Sequence, residues 1–389
     1  MADLTLVRNH IQAVTDSEVE YLRQLNLGIH SHPETAHEEV YAHEILTGFL
    51  ESRGFNVTRQ AYGLSTAFEA EIGTSGPIAI FCAEYDALPK LGHACGHNLI
   101  ATSSTAAFLG LAQSVKKWNI PGRVRILGTP AEEAHGGKIK LIAAGAFSDP
   151  AIAAAIMVHP TSQRGIKDGY HGTAGWQSIA NSLLRVEFHG KGAHAGGDPW
   201  NGVNALDAAV SAYSSLSMLR QHIQPDERIH GIIEDGGKVP NIIPDYTRMQ
   251  WSIRSRTAAR TESLLARVKA CFEAAGAATG CSVSYVIEPM YQDIIVNDEF
   301  CQIYTEEMAE LGRNVQLKSD TAATVSTDMG NVSHVIPSFH GVFGISTPDG
   351  APPHHAAFAK AAGSEEAYSE AMICGKAMAM LGWRILTRP

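Results

Sequence analysis

The run His93-Ala94-Cys95-Gly96-His97-Asn98 sets a thiol and an imidazole two residues apart, with another imidazole just ahead of them. Thiolate sulfur and neutral imidazole nitrogen are ligands that zinc-like divalent ions favour, and Gly96 lets the backbone bend until Cys95 and His97 face one ion. Alone, such a pair also fits a buried cysteine beside a chance histidine, so its company decides. Thr129-Pro130-Ala131-Glu132-Glu133, followed by Gly136-Gly137, reads as a turn built to aim two carboxylates. Adjacent side chains point differently, so one can ligate metal while the other holds water. His159, before Pro160, adds a further imidazole. Cys95, His97, Glu132, Glu133 and His159 together suit two metal ions sharing a water or hydroxide. Two close ions lower the pKa of that water, polarise a carbonyl and stabilise an oxyanion as it forms. A carboxylate beside the water then serves as general base, and later as acid toward a departing amine.

These side chains need elements that bring them together. The apolar segment 78–83 reads as a buried strand running into Glu84-Tyr85-Asp86-Ala87-Leu88-Pro89, 98–117 as an Ala/Leu-rich helix, and 123–127 and 153–158 as further strands. Strands alternating with helices predict an α/β fold with a doubly wound, mostly parallel sheet, in which ligands bind beyond the carboxyl ends of the strands. All five side chains follow predicted strand ends, so the topology gathers them at one edge. Ahead of this, 4–29 has the periodicity of one amphipathic helix, and a second helix over 41–53 stops at Gly54.

From Ile179 the pattern changes. Leu184, Val186 and Phe188 alternate with polar residues, a helix spans 202–220, strands fall at 228–234 and 246–256, a helix follows over 257–275, and a last strand covers 282–287. That order, β-α-β-β-α-β, is the ferredoxin-like split unit, here inserted into the first domain. The expected boundaries are 1–180 and 293–389 for the two parts of the catalytic domain and 181–292 for the insert. The closing part carries helices at 298–311 and 364–386, and loops containing Ser326-Thr327-Asp328 and Pro352-Pro353-His354-His355.

The composition limits the partners. With 389 residues, 45% hydrophobic and 18% charged, the chain is long enough for two domains, and no apolar run approaches the roughly eighteen residues that span a bilayer. A formal charge of −10 without a basic stripe argues against nucleic acid. The N-terminal segment lacks the basic-then-apolar layout of a signal peptide, and the six cysteines are scattered; a cytoplasmic protein with reduced thiols is expected.

The runs AEYDALPKLGHACGHN, GTPAEEAHGGK, IMVHP and GKGAHAGGDPWNGVNAL resemble the co-catalytic metallopeptidases that include aminoacylases and glutamate carboxypeptidases, and within them the amidohydrolase branch of hippurate, auxin-conjugate and aminobenzoyl-glutamate hydrolases. STDMGNVSHVIPS and AAGSEEAY are similar to the sub-branch that adds β-alanyl-lysine-type dipeptidases. The resemblance covers nearly the whole chain. It implies two divalent ions (zinc or manganese, with cobalt also compatible) held by Cys95, His97, Glu133, His159 and a histidine four residues before a phenylalanine; Phe358 selects His354 over His355. It implies Glu132 as general base and His194 as oxyanion donor, in some members from the neighbouring subunit. Asn241 and Arg254 match positions that bind the substrate's backbone or carboxylate, Arg254 also fitting the polar face of a lid strand. Asp86 is implied to orient a ligand, or else forms a turn before Pro89. The insert is implied to be a lid and the contact of a homodimer. One departure is Asn98 where many members carry Asp, which should weaken any hydrogen bond it makes to a ligand.

The resulting expectation is a dinuclear metal-dependent hydrolase of a small-molecule amide: an N-acyl amino acid, an amino acid conjugate or a dipeptide. Its rivals are a carboxypeptidase or dipeptidase on short peptides, and a non-catalytic metal-dependent binding protein of the same fold. Pocket walls near Trp176, Trp200 and Tyr291 are expected to set specificity.

Overall fold

A computed structural model describes residues 2–388, which form two compact units: Met1–Gln177 with Ile294–Ala323 and Thr327–Pro389, and Ser178–Asp293 with Thr324–Ser326. In chain order the first unit opens with helices α1 (Leu4–Ser17), α2 (Val19–Ser31) and α3 (Val40–Ser52). It continues with β1 (Val57–Arg59), β2 (Phe68–Ile72), β3 (Ile78–Ala83), α4 (His97–Trp118), β4 (Arg123–Gly128), α5 (Gly137–Ala143), β5 (Ile152–Ser162) and β6 (Gly172–Gly175). The second unit follows as β7 (Ala180–His189), α6 (Ala205–Leu219), β8 (Arg228–Asp235), β9 (Tyr246–Ser255), α7 (Ala258–Thr279) and β10 (Ser282–Ile287). The chain returns with α8 (Asp298–Glu310), β11 (Val315–Lys318), α9 (Met329–Ser333), β12 (Ser338–Ile345), α10 (Ala356–Ala362) and α11 (Glu365–Leu386).

The first unit is built on an eight-stranded sheet in the order β1-β2-β4-β3-β5-β12-β6-β11. Its centre, β4-β3-β5-β12, is parallel throughout, while β2 and β6 join it antiparallel. Every residue of β3 and β12 is buried, as strands covered on both faces must be. Helices α4 and α11 pack against each other on one face; α4 buries nearly its whole length, and Gly375 lets the backbones approach, since a Cβ there would lie 2.8 Å from the carbonyl of Ser103. The expected doubly wound, mostly parallel architecture is present.

The second unit is a four-stranded antiparallel sheet ordered β10-β7-β9-β8, with α6 and α7 supplying its core with Leu216, Val268 and Phe272 against Trp251 and Phe188. This is the β-α-β-β-α-β arrangement read from the alternating pattern.

Three elements differ from expectation. The helix expected over 4–29 is two, broken at Glu18 (φ −105°, ψ 2°). Just before the break, the hydroxyls of Thr15 and Ser17 donate to carbonyls of the preceding turn, and Arg53 holds the Glu18 carboxylate at 2.7 Å. Strand β5 runs on to Ser162, so His159 lies inside it rather than past its end. The strand β12 went unanticipated, because Gly341 and Gly344 interrupt its pattern.

Candidate metal centre

Strand β3 delivers Glu84 and Asp86 at its carboxyl end, the turn after β4 delivers Glu132 and Glu133, β5 carries His159, and Cys95 and His97 stand at the start of α4. His354 arrives on the loop between β12 and α10, and its backbone N–H donates to the carbonyl of Ala94 at 2.8 Å, tying that loop to the Cys95 loop. The bends are sharp. Gly96 has φ +81°, and a Cβ there would lie 2.6 Å from Pro160 Cγ, so conformation and space both demand glycine. Ala131 and His354 take left-handed conformations without being glycine, φ +61° and +65°, each costing about 1–3 kcal/mol.

The ligand-type atoms converge. One sulfur or nitrogen each from Cys95, His97 and His159 lie within 4.8 Å of one another; so do atoms of Cys95, Glu133 and His354, and those of Glu84, His97 and Glu132. Cys95 Sγ is 3.4 Å from His159 Nε2, and His354 Nε2 is 3.3 Å from Glu133 Oε1. Two ligands on one tetrahedral zinc-like ion stand about 3.3–3.6 Å apart, so these pairs fit a shared ion. Burial sharpens the argument: His97 Nε2 and Glu84 Oε2 are enclosed without a hydrogen-bond partner, and Glu84, Asp86, Glu132 and Asp328 crowd around the buried ammonium of Lys138. Such a surplus of enclosed negative charge calls for cations.

Neighbours orient the donors. His97 Nδ1–H donates to Asp86 Oδ1 at 3.0 Å, which turns Nε2 toward the cluster, while the other Asp86 oxygen accepts the Glu133 amide at 2.9 Å. His159 Nδ1 donates to the carbonyl of Pro160 at 2.7 Å, leaving its Nε2 for metal. His355 is occupied elsewhere: its Nδ1 accepts the Ala357 amide and caps α10, so His354 is the one brought to the cluster. Asn98 corrects an expectation, since its amide donates to the carbonyl of Ala362 and to no metal-ligand side chain. His93 is buried rather than an open loop residue and stacks on His30.

The second unit holds the remaining candidates. His194 Nδ1 accepts the amides of Gly196 and Gly197 at 3.2 and 2.9 Å, which fixes Nε2 as an outward N–H donor. The Asn241 carbonyl accepts the Ala195 amide, so the two loops lie side by side. Arg254 bonds to Ser252 Oγ and the Thr324 carbonyl, and among the described residues no carboxylate pairs with it. Trp176, in the first unit, stacks on buried His340, which stacks on His159; Trp200 and Tyr291 belong to the second unit.

Without cations the cluster retains protons. Burial, then Glu133, pushes the Cys95 thiol well up; burial, then Glu84 and Glu133, pushes the Glu132 carboxyl well up; and His97, although burial opposes its charge, is raised well above the usual imidazole range by Asp86 and Cys95. Metal needs these groups deprotonated, so loading must release protons and affinity must climb with pH. Calorimetric titration of zinc in buffers of different ionisation enthalpy is expected to give heats that track the buffer; identical heats would contradict this.

The chain matches known proteins along its length. The sequence profile of peptidase family M20/M25/M40 matches residues 80–372. The chain belongs to that family. It is 40% identical over 405 aligned residues to a Xaa-Arg dipeptidase of Mus musculus, taking in 100% of this chain and 91% of that one. It is 32% identical over 273 residues to a p-aminobenzoyl-glutamate hydrolase of Escherichia coli, across 66% of this chain and 55% of that one. Its fold is that of a dinuclear metal-binding peptidase from Bacillus subtilis, with a TM-score of 0.71 at 21% identity over 95% of this chain and 99% of that one. As a member of peptidase family M20/M25/M40 with relatives in the amidohydrolase branch, the chain is a metal-dependent peptidase or amidohydrolase, not a binding protein that merely kept the fold.

The motif spacing gave no reason to single out Glu84, Lys138 or Asp328. Lys138 Nζ lies 2.5 Å from Glu84 Oε1 and 2.6 Å from Asp328 Oδ1, and all three are fully buried. Lysine and acids read as surface residues unless something marks them as paired. The available signal was position: Lys138 follows the Glu132-Glu133 turn directly, and Asp328 lies in the STDMGN run.

Proposed function

We propose that this family member is a dinuclear dipeptidase that cleaves the peptide bond ahead of a C-terminal residue with a cationic side chain. The observation that carries the dinuclear reading is the pair of donor triads, Cys95 with His97 and His159, and Cys95 with Glu133 and His354, which meet at one sulfur. Identity of 40% along the whole chain to a Xaa-Arg dipeptidase supports the substrate class, and a net charge of −10 favours the approach of cations.

When bound, two divalent ions, zinc, manganese or cobalt, supply Lewis acidity toward the scissile carbonyl and lower the pKa of a water. Glu132 takes that water's proton onto its carboxylate and returns it to the amine nitrogen as the C–N bond breaks. Asp86 keeps the His97 ring in the tautomer that leaves Nε2 free. His194 Nε2–H donates to the oxyanion, from its own chain or a neighbouring copy; Arg254, lacking an acidic partner, takes the substrate carboxylate, and Asn241 its backbone. The second unit serves as lid and homodimer contact, supported by the exposed apolar side chains Val210, Tyr213 and Met218 on α6 and Ile232 on β8.

A second reading, hydrolysis of N-acyl amino acids, has the 32% identity to the aminobenzoyl-glutamate hydrolase in its favour. Amine release from Ala-Arg, Ala-Lys, Ala-Leu, N-acetylalanine and hippurate separates the two, using metal-stripped protein reloaded with each ion. The dipeptides with cationic termini are expected to exceed Ala-Leu by at least about tenfold in kcat/KM, roughly 1.4 kcal/mol of recognition. Faster turnover of the acylated amino acids would reject the dipeptidase reading.

A further inference from the structure

We infer that Glu84 is a further metal ligand, its Oε2 adding a carboxylate to the ion that His97 holds, with Lys138 and Asp328 clamping it for that task. The inference rests on the dinuclear reading above. Glu84 is fully buried and its two oxygens are treated differently: Oε1 receives Lys138 Nζ at 2.5 Å, while Oε2 has no hydrogen-bond partner and faces His97 Nε2 across 3.6 Å. That separation is close to the roughly 3.4 Å between two ligands of one tetrahedral ion. Glu84, His97 and Glu132 also place their donor atoms within 4.8 Å of one another, so the cluster extends past the five side chains of the two triads.

The clamp explains why the free oxygen points as it does. Lys138 bonds to Asp328 with both its ammonium and its backbone N–H, at 2.6 and 2.8 Å, which fixes the lysine before it reaches Glu84. A purely structural ion triad would leave neither carboxylate oxygen of Glu84 bare, because a buried unsatisfied acceptor costs about 1–3 kcal/mol. The charges do not balance either: one lysine faces two acids, and the surplus negative charge lies on the side facing His97. With Glu84 in its shell, the His97 ion is more fully enclosed by protein, and the ion of Cys95, Glu133 and His354 keeps the open position that catalysis needs.

Glu84→Gln preserves shape and leaves Lys138 paired with Asp328, so the metal-free variant should fold and melt no lower than the metal-free wild type. Zinc affinity is read by competition with a chromophoric chelator, and stability by melting with and without zinc. The expected result is two ions per wild-type chain and, in the variant, one ion weakened at least about 10–100-fold, with a smaller zinc-induced rise in Tm. Two affinities unchanged within twofold in a folded variant would overturn the role of Glu84 alone, whereas a wild-type chain that takes up no zinc would overturn the dinuclear reading with it. Should the variant fail to fold, diffraction from the zinc-loaded wild type decides: an ion about 2.0–2.2 Å from Glu84 Oε2 supports the inference, and one beyond about 3 Å overturns it.

Discussion

Replacing Glu132 by glutamine is expected to leave two ions bound and the fold intact while kcat falls by about 10²–10⁴-fold, the usual contribution of a positioned acid-base group. Glu132 is buried, and burial together with Glu84 and Glu133 disfavours its charge, so a proton it receives is held long enough to be passed on. An amide of the same shape can neither take nor give that proton. Its oxygen stands 3.8 Å from His97 Nε2, near the metal donors without belonging to either triad that meets at Cys95, so metal uptake should survive the change. Single-turnover kinetics on reloaded protein, with elemental analysis of the same sample, reads both quantities. An undiminished rate would remove Glu132 from its role, and lost metal would make it a ligand instead.

Cys95→Ala is expected to do the opposite, stripping both ions at once. Its sulfur is the atom common to the two triads, and it stands 3.4 Å from His159 Nε2. Losing even an outer partner of a metal ligand costs about 10–100-fold in affinity, and a shared direct ligand should exceed the upper figure for each ion. Alanine is also smaller, so the buried site has no replacement donor. Elemental analysis after gel filtration should therefore find well below one ion per variant chain, with activity lost in parallel. Retention of one full ion would mean that the sulfur serves a single metal.

The catalytic edge was legible because each of its parts is local. Cys95-Gly96-His97, Glu132-Glu133 and His159 each follow or close a strand whose apolar run is unmistakable, and the parallel topology alone then brings them together. His354 was not legible in that way. Its loop follows β12, whose glycines disguise a fully buried strand, and its place rested on the likeness of Pro352–Phe358 to a known pattern. The reason for those glycines appears only in three dimensions, since a Cβ at Gly344 would lie 2.0 Å from the side chain of Gln163. Lys138, Glu84 and Asp328 were hidden by chemistry: three charged residues far apart in sequence give no hint that they meet in the interior. In the second unit the alternation along β7 and β9 was strong enough to fix order and register class, because one buried face imposes a period of two.

Everything proposed for the chemistry depends on two cations sharing the sulfur of Cys95. Diffraction from zinc-loaded crystals, collected on both sides of the zinc absorption edge, reads this directly. Two anomalous peaks about 3.5–4 Å apart, each about 2.3 Å from Cys95 Sγ, are the predicted result. A single peak, or two of which only one touches that sulfur, would contradict it.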